Sequence, residues 1–208
     1  MAFDEEELAR RLGELPAGHR TAFAASCCER LLPNYAAFSR VEGWGRPEVL
    51  REALDEVWAA LGGGAVREEY VRSLSRACAE LAPDTEDFQS LFVSAAGDAA
   101  AAVSYTLECC LDGDAGRAAM VGRLPVDTLY QYLIRVNDPL TGVHGVDEEF
   151  EEQMLNAPLM SAELNKQERD LRLLRARDSL TPELLDELRA SSGEVGIRPF
   201  ERGLVKGG

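Results

Sequence analysis

Apolar side chains recur every three to four positions along almost the whole of this sequence, and that spacing places them on one face of an α-helix. The stretch after Pro47 shows the spacing most clearly. Its apolar stripe consists of Leu50, Leu54, Trp58 and Leu61. No segment alternates apolar and polar residues as a half-buried strand does, and no β-hairpin turn signal joins two such segments. The pattern therefore predicts an all-α protein.

Proline and glycine residues divide this pattern into separate helices. Pro33 is predicted to kink or break an early helix, and Pro125 to divide a later one. The three glycines at 62–64 are predicted to be the turn of an antiparallel helical hairpin. We therefore expect a single compact bundle of about eight to ten helices over residues 1–197, several of them kinked by proline. A loosely ordered tail is expected at residues 198–208.

The helix predicted to follow Thr85 has small or apolar residues on both of its sides. It is therefore predicted to be packed on both sides, at the centre of the bundle. Asp84 or Thr85 is expected to cap it, with Glu86 and Asp87 in its first turn.

Two other helices have predicted faces. The helix after the glycine turn is expected to bury Val66, Tyr70, Leu74, Cys78 and Leu81. The helix that Pro158 opens is expected to present an apolar seam of Met160, Leu164, Leu171 and Leu174, which Gln167 interrupts. Pro182 is expected to start the final helix, and Gly193 to end it.

The net charge of −15, from 37 acidic and 22 basic side chains, restricts the classes of partner. Phosphate backbones and anionic membranes bind through lysine and arginine, so we expect neither nucleic acid nor a membrane as partner. A basic protein is the partner that this charge favours. An acidic surface also keeps a protein in solution, which is the commoner reason for such a charge.

The beginning of the chain, MAFDEEE, has neither the basic nor the apolar region of a secretory signal, and no apolar run is long enough to span a membrane. We therefore expect a cytoplasmic protein. The five cysteines fit that compartment, because their number is odd and no two have the CxxC spacing of a zinc site or redox pair. Buried, reduced thiols are expected.

The sequence gives little support to catalysis, a metal or a cofactor. His19 and Cys27 are eight residues apart, about two helical turns, which is too far for hydrogen bonding. The only other histidine is His144, and neither histidine follows a glutamate at the spacing of a di-iron bundle site. The glycines at 62–64 lack the lysine of a phosphate-binding loop. We predict no catalytic residue, no metal ligand and no cofactor.

Several polar residues stand where apolar ones are expected. The candidate cluster, for binding or for structure, comprises Glu29, Arg30, Asn34, Tyr35, Asp98, Glu163 and Gln167. Polar side chains beside Pro33 can satisfy backbone groups that a proline kink frees, and Arg30 is predicted to form a buried ion pair with an acid such as Asp98. Gln167 could fix helix register. The alternative hypothesis is a polar pocket formed by Arg30, Tyr35, Asp98, Glu163 and Gln167.

Residues 28–38, CERLLPNYAAF, resemble the signature of the YjaG-like family, which is catalogued as domain of unknown function 416. Gly43 and the Asp55-x-x-Trp58 pairing also fit that family. Further on, Pro158-x-Met160-x-x-Glu163-x-x-x-Gln167 and Gly193-x-x-Gly196-Ile197 are similar to its features. The resemblance implies a compact all-helical fold and supplies no reaction, substrate or catalytic residue.

The leading hypothesis is a non-enzymatic, cytoplasmic protein-interaction module, of which an immunity protein that neutralises a toxin is one version. The alternative is a small-ligand binder or enzyme that uses the polar cluster near the Pro33 kink. A third hypothesis is a structural subunit of a homo-oligomer.

Overall fold

The computed structural model describes residues 3–88, 90, 92–137 and 154–195. Over these residues it contains helices and no strand, which confirms the all-α prediction. The eight helices are α1 (Glu5–Gly13), α2 (Ala17–Glu42), α3 (Pro47–Leu61), α4 (Glu68–Glu80), α5 (Val93–Asp112), α6 (Ala115–Asn137), α7 (Pro158–Arg175) and α8 (Pro182–Val195). This number lies within the predicted range. Within the same residues, no helix has the length and apolar character that a membrane crossing requires.

Local chemistry explains where several helices begin and end. The Asp4 side chain accepts a hydrogen bond of 2.9 Å from the backbone N–H of Glu7 and so caps α1. Pro47 and Pro158 open α3 and α7, as predicted, because the first helical position needs no N–H donor. Gly43 ends α2 in the left-handed conformation that glycine adopts without steric penalty.

Both internal prolines lie inside continuous helices. Pro33 is within α2 and Pro125 is within α6, so the division predicted at Pro125 is wrong and a break at Pro33 is excluded. A proline removes one helical hydrogen bond, but burial on both sides of it can hold the helix together. In α2 several side chains on either side of Pro33 in the sequence are buried, among them Leu31, Tyr35 and Phe38.

The start of α5 and the face of α4 differ from the predictions. Helix α5 begins at Val93, and Asp84 instead accepts a hydrogen bond of 2.9 Å from Glu86 N within the preceding turn. The buried side chains of α4 are Val71, Ser75 and Cys78. The predicted apolar stripe of α4 therefore does not match its buried face. Val66, the first residue of that stripe, precedes the helix and is 47% exposed. Gly193 does not end α8, which continues to Val195.

Helix α5 lies at the centre of the bundle, as predicted. It packs against α2, α3, α4 and α6, and its buried alanines let those helices approach closely. Helix α2 is equally central and contacts α3, α5, α6, α7 and α8. Its buried face therefore collects groups from most of the bundle.

Arg20 joins the ends of two helices in a way that the sequence did not indicate. Its guanidinium donates hydrogen bonds to the carbonyl oxygens of Leu12 at 3.1 Å, Leu15 at 2.9 Å and Gly113 at 2.7 Å. These carbonyls lie at the C-terminal ends of α1 and α5, where the helix dipole favours a positive charge.

All five cysteines are free thiols. Cys27, Cys28, Cys78 and Cys109 are buried and Cys110 is half-buried. Burial raises the pKa of the Cys78 and Cys110 thiols to about 12, so they are neutral at physiological pH.

Candidate functional site

Arg30 is completely buried, and its partner is Glu163. Its Nε and Nη2 atoms donate to the two carboxylate oxygens of Glu163, both at 2.7 Å, and the two side chains are 0% and 1% exposed. This is the bidentate geometry in which arginine binds a carboxylate most strongly. The predicted pairing with Asp98 is therefore wrong, because a helix 133 positions further along the chain supplies the acid.

A second buried ion pair lies beside the first. Lys166 donates to Asp170 one turn further along α7, and Arg30 Nη1 is 3.6 Å from Asp170 Oδ2. We call Arg30, Glu163, Lys166 and Asp170 the buried charge cluster. It holds two positive and two negative side chains, so its formal charges cancel.

Neutral polar groups complete the hydrogen bonding of the buried charge cluster. Ser26 Oγ donates to Asp170 Oδ2 at 2.6 Å, and Arg30 Nη1 donates to Ser26 O at 2.8 Å. Gln167 Nε2 donates to Glu163 Oε1 at 2.9 Å and to Gly122 O at 2.7 Å. Gln167 thus links α7 to α6, while Arg30 and Ser26 link α7 to α2.

Protonation states inside the buried charge cluster follow from burial and charge together. Burial alone lowers the pKa of Arg30, but the Glu163 carboxylate outweighs it, so that pKa lies above its ordinary value. Burial lowers the pKa of Lys166, and Asp170 only partly opposes this. Burial raises the pKa of Cys27 to about 12, although Arg30 Nη2 lies 3.3 Å from its sulfur. Cys27 is therefore a neutral thiol and not a nucleophile.

The buried charge cluster is closed to solvent. Its side chains are at most 3% exposed and have protein partners. Described residues line three grooves of about 360, 310 and 290 Å³. Gln167 lines the groove of 310 Å³, but none of the four charged side chains of the cluster lines any of the three. Within the described ranges, no group of three or more His, Cys, Asp or Glu side chains could hold a metal ion. In this geometry the buried charge cluster fastens α7 to α2.

Glu29, the neighbour of Arg30, points to a different and more open position. It accepts hydrogen bonds from Arg51 at 2.7 and 2.9 Å and from Trp58 Nε1 at 2.8 Å, and it lies 3.1 Å from Arg189 Nε. Asp55 pairs with the same two arginines. The Asp55-x-x-Trp58 pattern therefore joins α3 to α2 and α8. Sequence reasoning missed both arginines, although Arg51 lies four residues before Asp55 at ion-pair spacing.

The other predicted cluster residues have separate surroundings. Tyr35 Oη donates to Leu81 O at 2.9 Å, and Thr128 Oγ1 donates to Asp98 Oδ2 at 2.7 Å. Asn34 is 1% exposed, and its Nδ2 has no hydrogen-bond partner in the part of the chain that the structure describes. The structure therefore joins Arg30, Glu163 and Gln167 but not Tyr35 or Asp98, and the single polar pocket is not formed.

Of the two histidines, only His19 lies within the described residues. His19 is buried, and its Nε2 lies 3.0 Å from Arg177 O. His144, Gly196 and Ile197 lie outside the described residues. The predicted tail at 198–208 lies outside them too.

Aromatic rings cluster at the end of the bundle where α2 and α4 finish. The Phe88 ring centroid is 5.1 Å from that of Phe38 and 5.4 Å from that of Trp44, and Tyr35 lies 6.3 Å from Phe38. Phe38 and Tyr35 are buried, whereas Trp44 and Phe88 are half-buried. Gly45 makes this packing possible, because its φ is +86° and a Cβ there would lie 2.5 Å from Tyr35 Oη.

Exposed acids lie in the stretch of chain that leads to Phe88. Glu80 ends α4, and Asp84, Glu86 and Asp87 follow in the connection to α5. No ion pair joins any of the four to a described residue, and all four are exposed. We call Trp44, Phe88 and these four acids the aromatic-acidic end.

Comparison with known proteins gives a family and a fold. A family described as "Protein of unknown function (DUF416)" matches residues 7–198. The uncharacterized protein YjaG of Escherichia coli (strain K12) is 29% identical over 187 residues, which cover 89% of this chain and 91% of that protein. YjaG of Salmonella typhimurium is 27% identical over the same length and coverage. The crystal structure of a DUF416 family protein from Shewanella baltica OS155 is similar with a TM-score of 0.79 and 26% identity, covering 91% of this chain and 94% of that one.

Proposed function

This chain belongs to the DUF416 family of proteins of unknown function, and we propose that it is a cytoplasmic protein-interaction module that binds a basic partner protein. The observation that carries this proposal is the location of its charge. The chain has 37 acidic and 22 basic side chains, an excess of 15 acids. The buried charge cluster contains two of each sign, so it removes none of this excess from the surface.

The surface excess is unevenly distributed along the chain. Residues 77–116 contain no lysine or arginine and have eight acids. Glu108 and Asp112 pair with Arg117, and Asp98 is half-buried. The other five are exposed and form no ion pair with a described residue: Glu80, Asp84, Glu86, Asp87 and Asp114. Acids elsewhere often have a basic neighbour; Glu7 and Glu14, for example, both pair with Arg10. A concentrated negative field attracts a basic protein over several ångströms and increases the rate at which the two associate.

The alternative, a ligand binder or enzyme at the polar cluster, has less support from this geometry. A ligand would have to reach Arg30, which is 0% exposed and already pairs with Glu163 through both carboxylate oxygens. Opening that position would leave a buried charge without its counter-charge. An immunity-type protein that neutralises a basic toxin remains one form of the interaction proposal.

A capture experiment tests this function. The protein is immobilised and exposed to lysate of its source cell at about 0.15 M salt, where surface charges are screened beyond about 8 Å. An unrelated helical protein of equal net charge serves as the control bait. We expect one basic protein to be retained in stoichiometric amount by this chain alone, with an association rate that falls as salt increases. If both baits retain the same proteins, or if this chain retains no protein, the proposal is refuted.

A further inference from the structure

We propose that the basic partner docks on the aromatic-acidic end, through a segment that carries arginine or lysine side chains. This inference rests on the proposed function and specifies the surface that performs it. The buried charge cluster holds the helices together, whereas the aromatic-acidic end presents its groups to solvent.

Two anchors hold the acidic stretch of chain between Leu81 and Phe88. Leu81 is held by the hydrogen bond of 2.9 Å from Tyr35 Oη to its carbonyl oxygen. Phe88 is held by an edge contact with the Phe38 ring at 5.1 Å and by a tilted contact with the Trp44 ring at 5.4 Å. Asp84, Glu86 and Asp87 lie between these anchors in the chain, and Glu80 directly precedes the first. The acidic stretch is therefore short and is fastened at both ends, one of which is the ring of Phe88 itself.

The rings provide a preformed platform for a cation. Phe38 is fully buried and makes edge contacts with the half-buried rings of Trp44 and Phe88, at 5.9 and 5.1 Å between ring centroids. A guanidinium or ammonium group over a tryptophan or phenylalanine ring is attracted by the negative face of the ring, most strongly for tryptophan. Because the platform is packed before binding, little conformational entropy is lost when a partner docks.

The four carboxylates supply complementary charge. They repel one another in the free protein, and no described residue neutralises them by an ion pair. Arg76 lies four residues before Glu80 on α4, is exposed and donates to Arg72 O at 3.4 Å. Close to Trp44 in the sequence, Arg46 pairs with Glu48 at 3.1 Å and Arg40 is exposed at the end of α2. A segment with several positive side chains relieves this repulsion and is therefore the occupant to which the surface is complementary.

Other occupants fit this surface poorly. Nucleic acids and anionic membranes carry the same sign of charge as the four acids. A second copy of this chain carries the same excess of acids.

Two matched variants test the surface. The loop variant carries Asp84→Asn, Glu86→Gln and Asp87→Asn, and the control variant carries Glu52→Gln, Glu56→Gln and Asp186→Asn. Each removes three negative charges from exposed positions that form no ion pair with a described residue. The probe is a fluorescein-labelled peptide of four Arg-Gly-Gly repeats, with a Glu-Gly-Gly peptide as the negative control. Binding is measured by fluorescence anisotropy with the full chain.

We expect the loop variant to bind the arginine peptide about ten-fold more weakly than the wild type does, since three exposed charge pairs together contribute on the order of 1.4 kcal/mol. The control variant should lose about two-fold or less, because it removes only distant charge. Equal losses in both variants would show that the peptide is attracted by net charge alone and would overturn the docking surface.

A second readout does not depend on charge removal. The chain has two tryptophans, so ¹H–¹⁵N spectra contain two indole N–H signals, which a Trp44→Phe variant assigns. The arginine peptide should shift the Trp44 signal and leave that of Trp58, whose Nε1 donates to Glu29 at 2.8 Å. An unmoved Trp44 signal at saturating peptide would contradict the proposal.

The captured partner then separates the two proposals. If it binds the wild type and both variants equally, the docking surface is wrong and the interaction function stands. If no partner is captured at all, the function itself fails.

Discussion

Replacing Glu163 by glutamine tests what holds α7 to α2. The substitution keeps the shape of the side chain and removes one negative charge from the buried charge cluster, leaving Arg30 and Lys166 with Asp170 alone. A glutamine accepts hydrogen bonds through one oxygen only, so one of the two 2.7 Å bonds from Arg30 is lost. The amide N–H₂ then faces the guanidinium, donor against donor.

The expected loss of stability is large. Removing one partner of a buried ion pair costs about 3–5 kcal/mol, because a charge is left buried without its counter-charge. Native proteins are stable by only about 5–15 kcal/mol in total. For a chain of this size each kcal/mol lowers the melting temperature by about 2–4 °C, so we expect Glu163→Gln to melt roughly 6–20 °C below the wild type.

Urea unfolding followed by circular dichroism at pH 7 measures the loss in the free energy of unfolding, and thermal melting followed by the same signal measures the fall in melting temperature. Glu14→Gln is the control, since Glu14 also pairs with two arginines, Arg10 and Arg175, but is 49% exposed. Exposed pairs of that kind contribute about 0–1 kcal/mol. A double variant, Arg30→Met with Glu163→Met, should be more stable than Glu163→Gln, because no unpaired charge remains at that pair. If Glu163→Gln unfolds at the same urea concentration as Glu14→Gln, the reasoning about buried charge is refuted.

Two further perturbations follow from single residues. Burial raises the pKa of Asp98 from 3.8 to about 6, against the Thr128 hydrogen bond, so the folded chain binds this proton more tightly than the unfolded chain does. The contribution of Asp98 to the free energy of unfolding is therefore lost as pH rises from about 4 to about 6. Asp98→Asn should remove this dependence on pH and should stabilise the protein at pH 7 by at most about 3 kcal/mol, as measured by urea unfolding. Gly45→Ala should destabilise more than Gly63→Ala in thermal melts: their φ angles are +86° and +95°, but only at Gly45 would the new methyl group meet Tyr35 Oη. Equal melting temperatures for the two alanine variants would contradict that contact.

The sequence by itself determined the helices and much of where they begin. Pro47, Pro158 and Pro182 open helices as predicted, and Gly43 closes one, because these boundaries depend on backbone geometry within a few residues. The apolar stripe of α3 and the small residues of α5 also indicated correctly which sides are buried. The rule that a proline ends a helix failed at Pro125, which lies inside an unbroken α6, because packing against neighbouring helices holds α6 together there.

The polar residues show the limit of such reasoning. The sequence singled out Arg30, Glu163 and Gln167, because charged or amide side chains interrupt apolar faces. Glu163 and Gln167 lie one turn apart, so their shared face was predictable from helical periodicity.

Only the tertiary structure decided that Arg30 pairs with Glu163 and that Asp98 meets Thr128. It also decided that Phe88, which follows an acidic stretch of the chain, packs on Trp44 near the end of α2. The physical reason is that helical periodicity fixes which face of a helix is buried but carries no information on which distant helix covers that face. That choice depends on the combined packing of all the helices, in which shape and charge are satisfied together.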